Sequence, residues 1–115
     1  MGEDSRRALS REMLEEMGVA VHVERLLWVA VNFFQYGNRD WHELGFYYLV
    51  HLPASASHLT QVKSFCGKEG RLHLVFEWFS VEAAQSLALY PAFLRNRLSS
   101  LPASVEHVVH TDGCK

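Results

Sequence analysis

Three glutamates near the N-terminus, Glu12, Glu15 and Glu16, are spaced so that a helix would place their carboxylates on one face. Carboxylates three and four residues apart on a helix repel one another, at a cost of about 0.2–0.5 kcal/mol per pair. Clustered carboxylate oxygens are also the ligands that hard divalent cations such as Mg²⁺ or Mn²⁺ select. The spacing therefore predicts a cation site, and a solvated acidic helix face is the alternative interpretation.

Two neighbouring residues suit a cation site on this face. Ala8 lies one turn before Glu12 within the same arc, and its small side chain leaves room for an ion and its waters. Arg11 precedes Glu15 by four residues, a spacing at which a guanidinium can orient the carboxylate. The opposite side of the helix is apolar and should pack on a sheet: Leu9, Met13, Leu14 and Met17.

The element that must position these glutamates is predicted to be a helix over residues 5–17. Asp4 and Ser5 are both good N-caps, and Gly18 stands where a left-handed C-terminal residue belongs. Neither proline nor a β-branched residue interrupts the segment. We therefore expect a helix that ends at Gly18 and is followed directly by a strand.

The rest of the chain indicates an α/β (α+β) fold. Segments rich in valine and aromatic residues predict strands, and the first two should form a hairpin in the middle of a covered sheet because both of their faces are apolar. The predicted strands are residues 19–34, 41–52, 72–79 and 105–110. Residues 53–58 and 67–71 are predicted loops, and residues 81–87 and 91–98 are predicted helices. Helices on both faces of a sheet would make a three-layer sandwich.

A longer motif surrounds the glutamates. Residues 11–19 read R-E-U-x-E-E-x-G-U, where U is a bulky apolar residue. This resembles the second half of the Nudix box, and Glu3 stands where the box has its earlier glutamate. Residues 32–34, 42–48 and 77–82 are similar to later segments of MutT-like Nudix hydrolases. The resemblance extends over nearly the whole chain.

The resemblance implies a Mg²⁺-dependent (or Mn²⁺-dependent) Nudix hydrolase. Such an enzyme cleaves the pyrophosphate bond of a nucleoside diphosphate linked to another group, by attack of water on phosphorus. Glu12, Glu15 and Glu16 would hold the metal, which would neutralise the diphosphate and help to activate water. The implied partner is thus a nucleotide-like small molecule, and the resemblance leaves its identity open.

Three further residues have implied roles in this site. Arg11 would orient the glutamates, and Glu3 would fix the junction between loop and helix through hydrogen bonds. The general base would be one of the helix glutamates or Glu69, which follows Gly67 and Lys68 in a predicted loop. A solvated turn residue is the alternative interpretation of Glu69.

The resemblance is incomplete at the N-terminus, because the opening glycine of the box would precede Met1. The implied fold is a Nudix-like α/β/α sandwich around a mixed sheet, formed by residues 1–115 as one domain that lacks its N-terminal strands. We expect exposed apolar surface and a homodimer that covers it. The alternative is a catalytically inactive truncated Nudix domain that acts as a self-associating or binding module.

Composition limits the remaining possibilities. A chain of 115 residues is one domain, and 49% hydrophobic with 21% charged residues excludes a disordered or fibrous protein. The net charge of -2 argues against non-specific binding to nucleic acid, and the absence of a long apolar run argues against a membrane span. Two cysteines, Cys66 and Cys114, and no signal-peptide pattern predict a cytoplasmic protein. The seven scattered histidines lack zinc-ligand spacing.

Overall fold

The computed structural model describes residues 4–69 and 71–114, with side chains to Thr111, and it is of the α+β class. The helices are α1 (Ser5–Met17), α2 (Ser57–Thr60, after a 3₁₀ turn at Ala54–Ala56), α3 (Val81–Ala84) and α4 (Leu94–Arg97). The strands are β1 (His22–Tyr36), β2 (Arg39–His51), β3 (Ser64–Glu69), β4 (Leu72–Glu77) and β5 (Glu106–Cys114). None of the described helices is long and apolar enough to cross a membrane.

The chain divides into two compact units. The first consists of Met1–Arg25 and Leu49–Trp78, and the second of Leu26–Tyr48 and Phe79–Lys115. The first unit contains α1, α2 and the two-stranded antiparallel sheet of β3 and β4. The second contains α3, α4, β5 and most of the long strands β1 and β2.

Helix α1 has the predicted limits and the predicted caps. The side chain of Asp4 accepts a hydrogen bond from the backbone N–H of Arg7 at 2.9 Å, which satisfies a donor at the helix start. Gly18 has a φ of 72°, and its N–H donates to the carbonyl of Leu14 at 2.9 Å. The helix prediction is therefore confirmed, although the next strand begins at His22 rather than directly after Gly18.

The predicted loop over residues 53–58 is wrong, because this segment holds the 3₁₀ turn and the start of α2. Its apolar side chains anchor the first unit. Ala56 and Leu59 are buried together with Val19, and partly buried apolar residues pack against them: Met17, Val21, Leu52 and Phe65. Helices this short have little intrinsic stability, so their formation depends on this packing.

The predicted loop over residues 67–71 is also wrong in its first half, because β3 continues to Glu69. Gly67 explains why a glycine stands in a strand here. A Cβ atom at this position would overlap the backbone carbonyl of Glu16 and the ring of Phe76. The missing side chain therefore lets β3 lie directly against the C-terminal turn of α1.

In the second unit, β1 lies between β2 and β5 and pairs parallel with β5, with Val31 opposite Val109. A two-residue turn joins β1 to β2, and Gly37 and Asn38 both have positive φ, at 60° and 65°. This geometry is typical of a tight hairpin turn. The predicted hairpin is confirmed, but β2 is at the edge of the three-stranded sheet rather than in its middle.

The two faces of this sheet differ in exposure. On one face Trp28, Ala30 and Val108 are buried, and Phe93 packs against Trp28 with ring centroids 6.0 Å apart. Several large apolar side chains of the same three strands are instead exposed: Phe33, Leu44, Phe46 and Val109.

The helices predicted over residues 81–87 and 91–98 are confirmed only as the single turns α3 and α4.

Candidate functional site

An acidic cavity of about 530 Å³ in the first unit brings the predicted site residues together. Helix α1 and strand β3 supply its lining: Arg11, Glu12, Glu15, Glu16, Lys68 and Glu69. All of the predicted site residues that the structure describes are therefore neighbours. Glu3, the remaining one, lies outside the described residues.

Arg11 and Glu15 form an ion pair on the surface of α1. One guanidinium nitrogen, Nη1, donates to both carboxylate oxygens of Glu15, at 3.2 and 3.3 Å. Both side chains are about half exposed, so the pair adds little to the stability of the fold. Its consequence is positional, because it restricts where the Glu15 carboxylate can lie, as the sequence predicted.

Glu16 has the clearest electrostatic perturbation in the cavity. Burial raises the pKa of its carboxyl above the ordinary value of 4.5, and the negative charges of Glu69, Glu12 and Glu15 raise it further. Repulsion among clustered carboxylates shifts the pKa in this direction when no cation is bound. The perturbation also shows that Glu69 lies close enough to act on Glu16 electrostatically.

Glu69 and Lys68 reach the cavity because β3 packs against α1. Glu69 was predicted in a loop, and the structure places it at the last position of a strand. Lys68 was not identified from the sequence. Gly67 and Gly70 favoured a loop there, so strand β3, which positions Lys68, was not predicted. The close contact at Gly67 is what brings both residues beside the acidic helix face.

The donor chemistry of this cavity suits a hard divalent cation, since four carboxylates surround it and repel one another. Across residues 4–69 and 71–111, however, no group of three or more histidine, cysteine, aspartate or glutamate side chains is arranged to hold a metal ion. Ligation would therefore require the flexible glutamate side chains to converge. Relief of the mutual repulsion would favour that movement.

Neither a protein-family model nor a curated protein sequence matches this chain. The Nudix resemblance is therefore one of sequence only, carried by residues 11–19, Glu3 and the shorter segments at 32–34, 42–48 and 77–82.

Proposed function

We propose that this chain is a Nudix-type hydrolase that cleaves the pyrophosphate bond of a nucleoside diphosphate linked to another moiety. One observation carries the proposal: the motif residues Arg11, Glu12, Glu15 and Glu16 line the same cavity as Glu69. Glu69 lies more than 50 positions further along the chain, so the motif alone did not require this juxtaposition. The cation would be Mg²⁺ or Mn²⁺, held by Glu12, Glu15 and Glu16.

In the proposed hydrolysis, the side chains of the cavity have different roles. A bound divalent cation supplies charge neutralisation of the diphosphate and lowers the pKa of water. Arg11 holds the Glu15 carboxylate in position, and Lys68 offers a positive charge to the phosphate oxygens. A carboxylate, Glu69 or a helix glutamate, accepts the proton of the attacking water as its oxygen bonds to phosphorus. The bridging P–O bond breaks, and the phosphate product leaves with that electron pair.

The proposal includes a fold, a Nudix-like α/β/α sandwich around a mixed sheet. The α+β class of the structure supports it, as does the order of the acidic helix α1 followed by the long strand β1. The hairpin of β1 and β2 also contains residues 32–34 and 42–48, two of the segments that are similar to MutT-like hydrolases.

Thermal melts with and without Mg²⁺ test the metal site. A ligand that binds only the folded state at a hundred times its dissociation constant stabilises it by about 2.7 kcal/mol. Glu15→Gln and Glu16→Gln should abolish that gain, whereas Glu69→Gln should keep most of it. Glu82→Gln removes an exposed carboxylate of α3 in the second unit and is the matched control. An equal Mg²⁺ shift in wild type and Glu16→Gln would place the ion elsewhere.

Hydrolysis is tested separately with ADP-ribose, a dinucleotide polyphosphate and an oxidised nucleotide, in the presence of Mg²⁺. Activity on any of them should disappear in Glu15→Gln and Glu16→Gln and persist in Glu82→Gln. If the chain binds Mg²⁺ at the glutamates but hydrolyses none of these substrates, the metal-site proposal stands and the enzyme proposal fails. Activity that survives in both glutamine variants would reject the catalytic site.

A second candidate function is a self-associating module without catalysis, for which the exposed apolar face of the second unit is the supporting observation. Phe33, Leu44, Phe46 and Val109 are each between 44% and 65% exposed. Such a face favours association with a second copy of the chain as a homodimer. Sedimentation should then give the mass of two chains, and Leu44→Glu should reduce it to one. A wild-type mass of one chain would argue against this function.

A further inference from the structure

A second cavity of the first unit lies on the side of α1 that carries the methionines. It has a volume of about 530 Å³, within the range of small-molecule sites, and it shares no lining residue with the acidic cavity. Met13 and Met17 of α1 form one side of it, and Phe65, Phe76 and Trp78 contribute aromatic rings. Its lining is thus largely apolar, whereas that of the acidic cavity is charged.

The aromatic wall is held in position by contacts within the first unit. The rings of Phe65 and Phe76 are stacked, with centroids 5.2 Å apart and planes inclined by 16°. The ring of Phe65 also lies 6.3 Å from that of Trp78. The indole Nε1 of Trp78 donates a hydrogen bond to the carbonyl of Leu59 at 2.8 Å, which fixes the tryptophan. A flat ring system entering the cavity would therefore meet a preformed surface on which to stack.

The methionines and the core-packed residues of the cavity also favour a flat aromatic ring. Met17, Val21, Leu52 and Phe65 line the cavity and also pack against the buried core of the first unit. These four residues are therefore held in place by the core. The thioethers of Met13 and Met17 can adapt to the edge of an aromatic ring.

The polar groups of the cavity determine the charge that an occupant can carry. Glu77 contributes an exposed carboxylate, and no lysine or arginine occurs among the lining residues, all of which the structure describes. His51 lies at the same cavity, with its Nε2 2.5 Å from the carboxylate of Glu24. An N–H donor on the ligand would suit the Glu77 carboxylate, whereas an anionic group would be repelled.

We propose that this aromatic cavity binds a flat, uncharged aromatic amine of two or three rings. The rings would stack against Phe65, Phe76 and Trp78, and the amine would donate a hydrogen bond toward Glu77. The site is independent of the proposed hydrolase activity, because it has its own lining residues and needs no metal ion.

A pair of fluorescent probes that differ in one charged group tests this inference. N-phenyl-1-naphthylamine is an uncharged arylamine, and 8-anilinonaphthalene-1-sulfonate carries a sulfonate on the same rings. Fluorescence titration should show that the uncharged probe binds roughly fivefold or more tightly than the sulfonate, because of charge repulsion. Glu77→Gln should narrow this difference. Equal affinities for the two probes in wild type would overturn the proposal.

Two kinds of variant locate the probe. Met13→Trp should weaken binding of the uncharged probe by roughly tenfold, because the indole occupies the space that the probe needs. Val75→Ser and Val105→Ser each remove an exposed apolar side chain elsewhere and should leave binding unchanged. If Met13→Trp fails to give a cooperative melt, the outcome is decided by whether Glu77→Gln narrows the difference in affinity between the two probes. Unchanged binding in a folded Met13→Trp, or a loss in either serine variant, would place the probe on another surface.

Discussion

The acidic cavity and the aromatic cavity of the first unit use opposite faces of the same helix. Glu12 and Glu16 face one of them, and Met13 and Met17 face the other, so a shift of one position along α1 changes the chemistry completely. The acidic cavity consists of charges that repel one another, and its properties should depend on cations and pH. The aromatic cavity consists mainly of packed rings, and among the residues that the structure describes its only ionisable lining groups are His51 and the Glu77 carboxylate.

The two cavities nevertheless depend on one contact. Strand β3 supplies Lys68 and Glu69 to the acidic cavity and Phe65 to the aromatic cavity. Its position against α1 requires the missing side chain of Gly67. A substitution there should therefore affect both sites, whereas substitutions on either face of α1 should affect one.

Gly67→Ala is the substitution with the largest expected effect on the folded state. Its Cβ would overlap the backbone carbonyl of Glu16 and the ring of Phe76, so β3 must move away from α1. Overpacking of this kind typically costs about 1–3 kcal/mol of unfolding free energy. The melting temperature should fall, and both Mg²⁺ stabilisation and binding of the uncharged probe should weaken.

Gly18→Ala is the matched control for Gly67→Ala. Gly18 has a φ of 72°, but nothing lies within 4 Å of the position that its Cβ would occupy. The cost should then be about 1 kcal/mol of backbone strain, without loss of either site. Measured melts in which Gly18→Ala is the more harmful of the two would show that the contact at Gly67 is not what holds β3.

The fold was predictable where local signals decide the structure. Helix α1 has its N-cap, its C-terminal glycine and its periodicity within one continuous segment, and its limits follow from these. Residues 54–60 lack such signals, and they become helical because Ala56 and Leu59 are buried against Val19. Gly67 misled the prediction in a similar way, since its role is a contact with a helix distant in sequence.

The same distinction applies to the two sites. The acidic cavity was largely predictable, because Arg11 and three of its glutamates belong to one helix, and only Lys68 was missed. The aromatic cavity was not predicted, since its rings come from β3 and from the region around Glu77, at the end of β4. No spacing within one element relates Phe65 to Trp78, and only the pairing of the strands brings them together.

Asp4→Ala should have an intermediate effect that is shared by both cavities. Loss of the hydrogen bond from the Arg7 N–H to the Asp4 side chain removes a helix cap, at a cost of about 1 kcal/mol. Because α1 supplies both cavities, unfolding free energy should fall without a change in the preference between the two probes. Ser80→Ala removes the cap of α3 in the second unit and is the control. A changed probe preference in Asp4→Ala alone would mean that the cap also shapes the aromatic cavity.

The smallest expected effect separates the two cavities by their response to pH. The pKa of Glu16 is raised by burial and by neighbouring carboxylates, so the folded state retains its proton at a pH where the unfolded chain has released it. Stability from this group is therefore present below 4.5 and is lost as the pH rises through the higher folded pKa. Glu16→Gln should remove that loss, which amounts to about a few tenths of a kcal/mol for like charges on a helix.

Glu24 should behave in the opposite sense, which makes Glu24→Gln the informative comparison. The hydrogen bond with His51 holds the pKa of Glu24 below its ordinary value of 4.5. Its contribution is thus present above 4.5 and is lost as the pH falls through the lower folded pKa. Urea unfolding without Mg²⁺, between about pH 3 and pH 7, should show that Glu16→Gln flattens the decline toward neutral pH. Glu24→Gln should instead flatten the decline of unfolding free energy toward acid pH. If both substitutions changed the slope of unfolding free energy against pH in the same direction, the proposed charge repulsion around Glu16 would be contradicted.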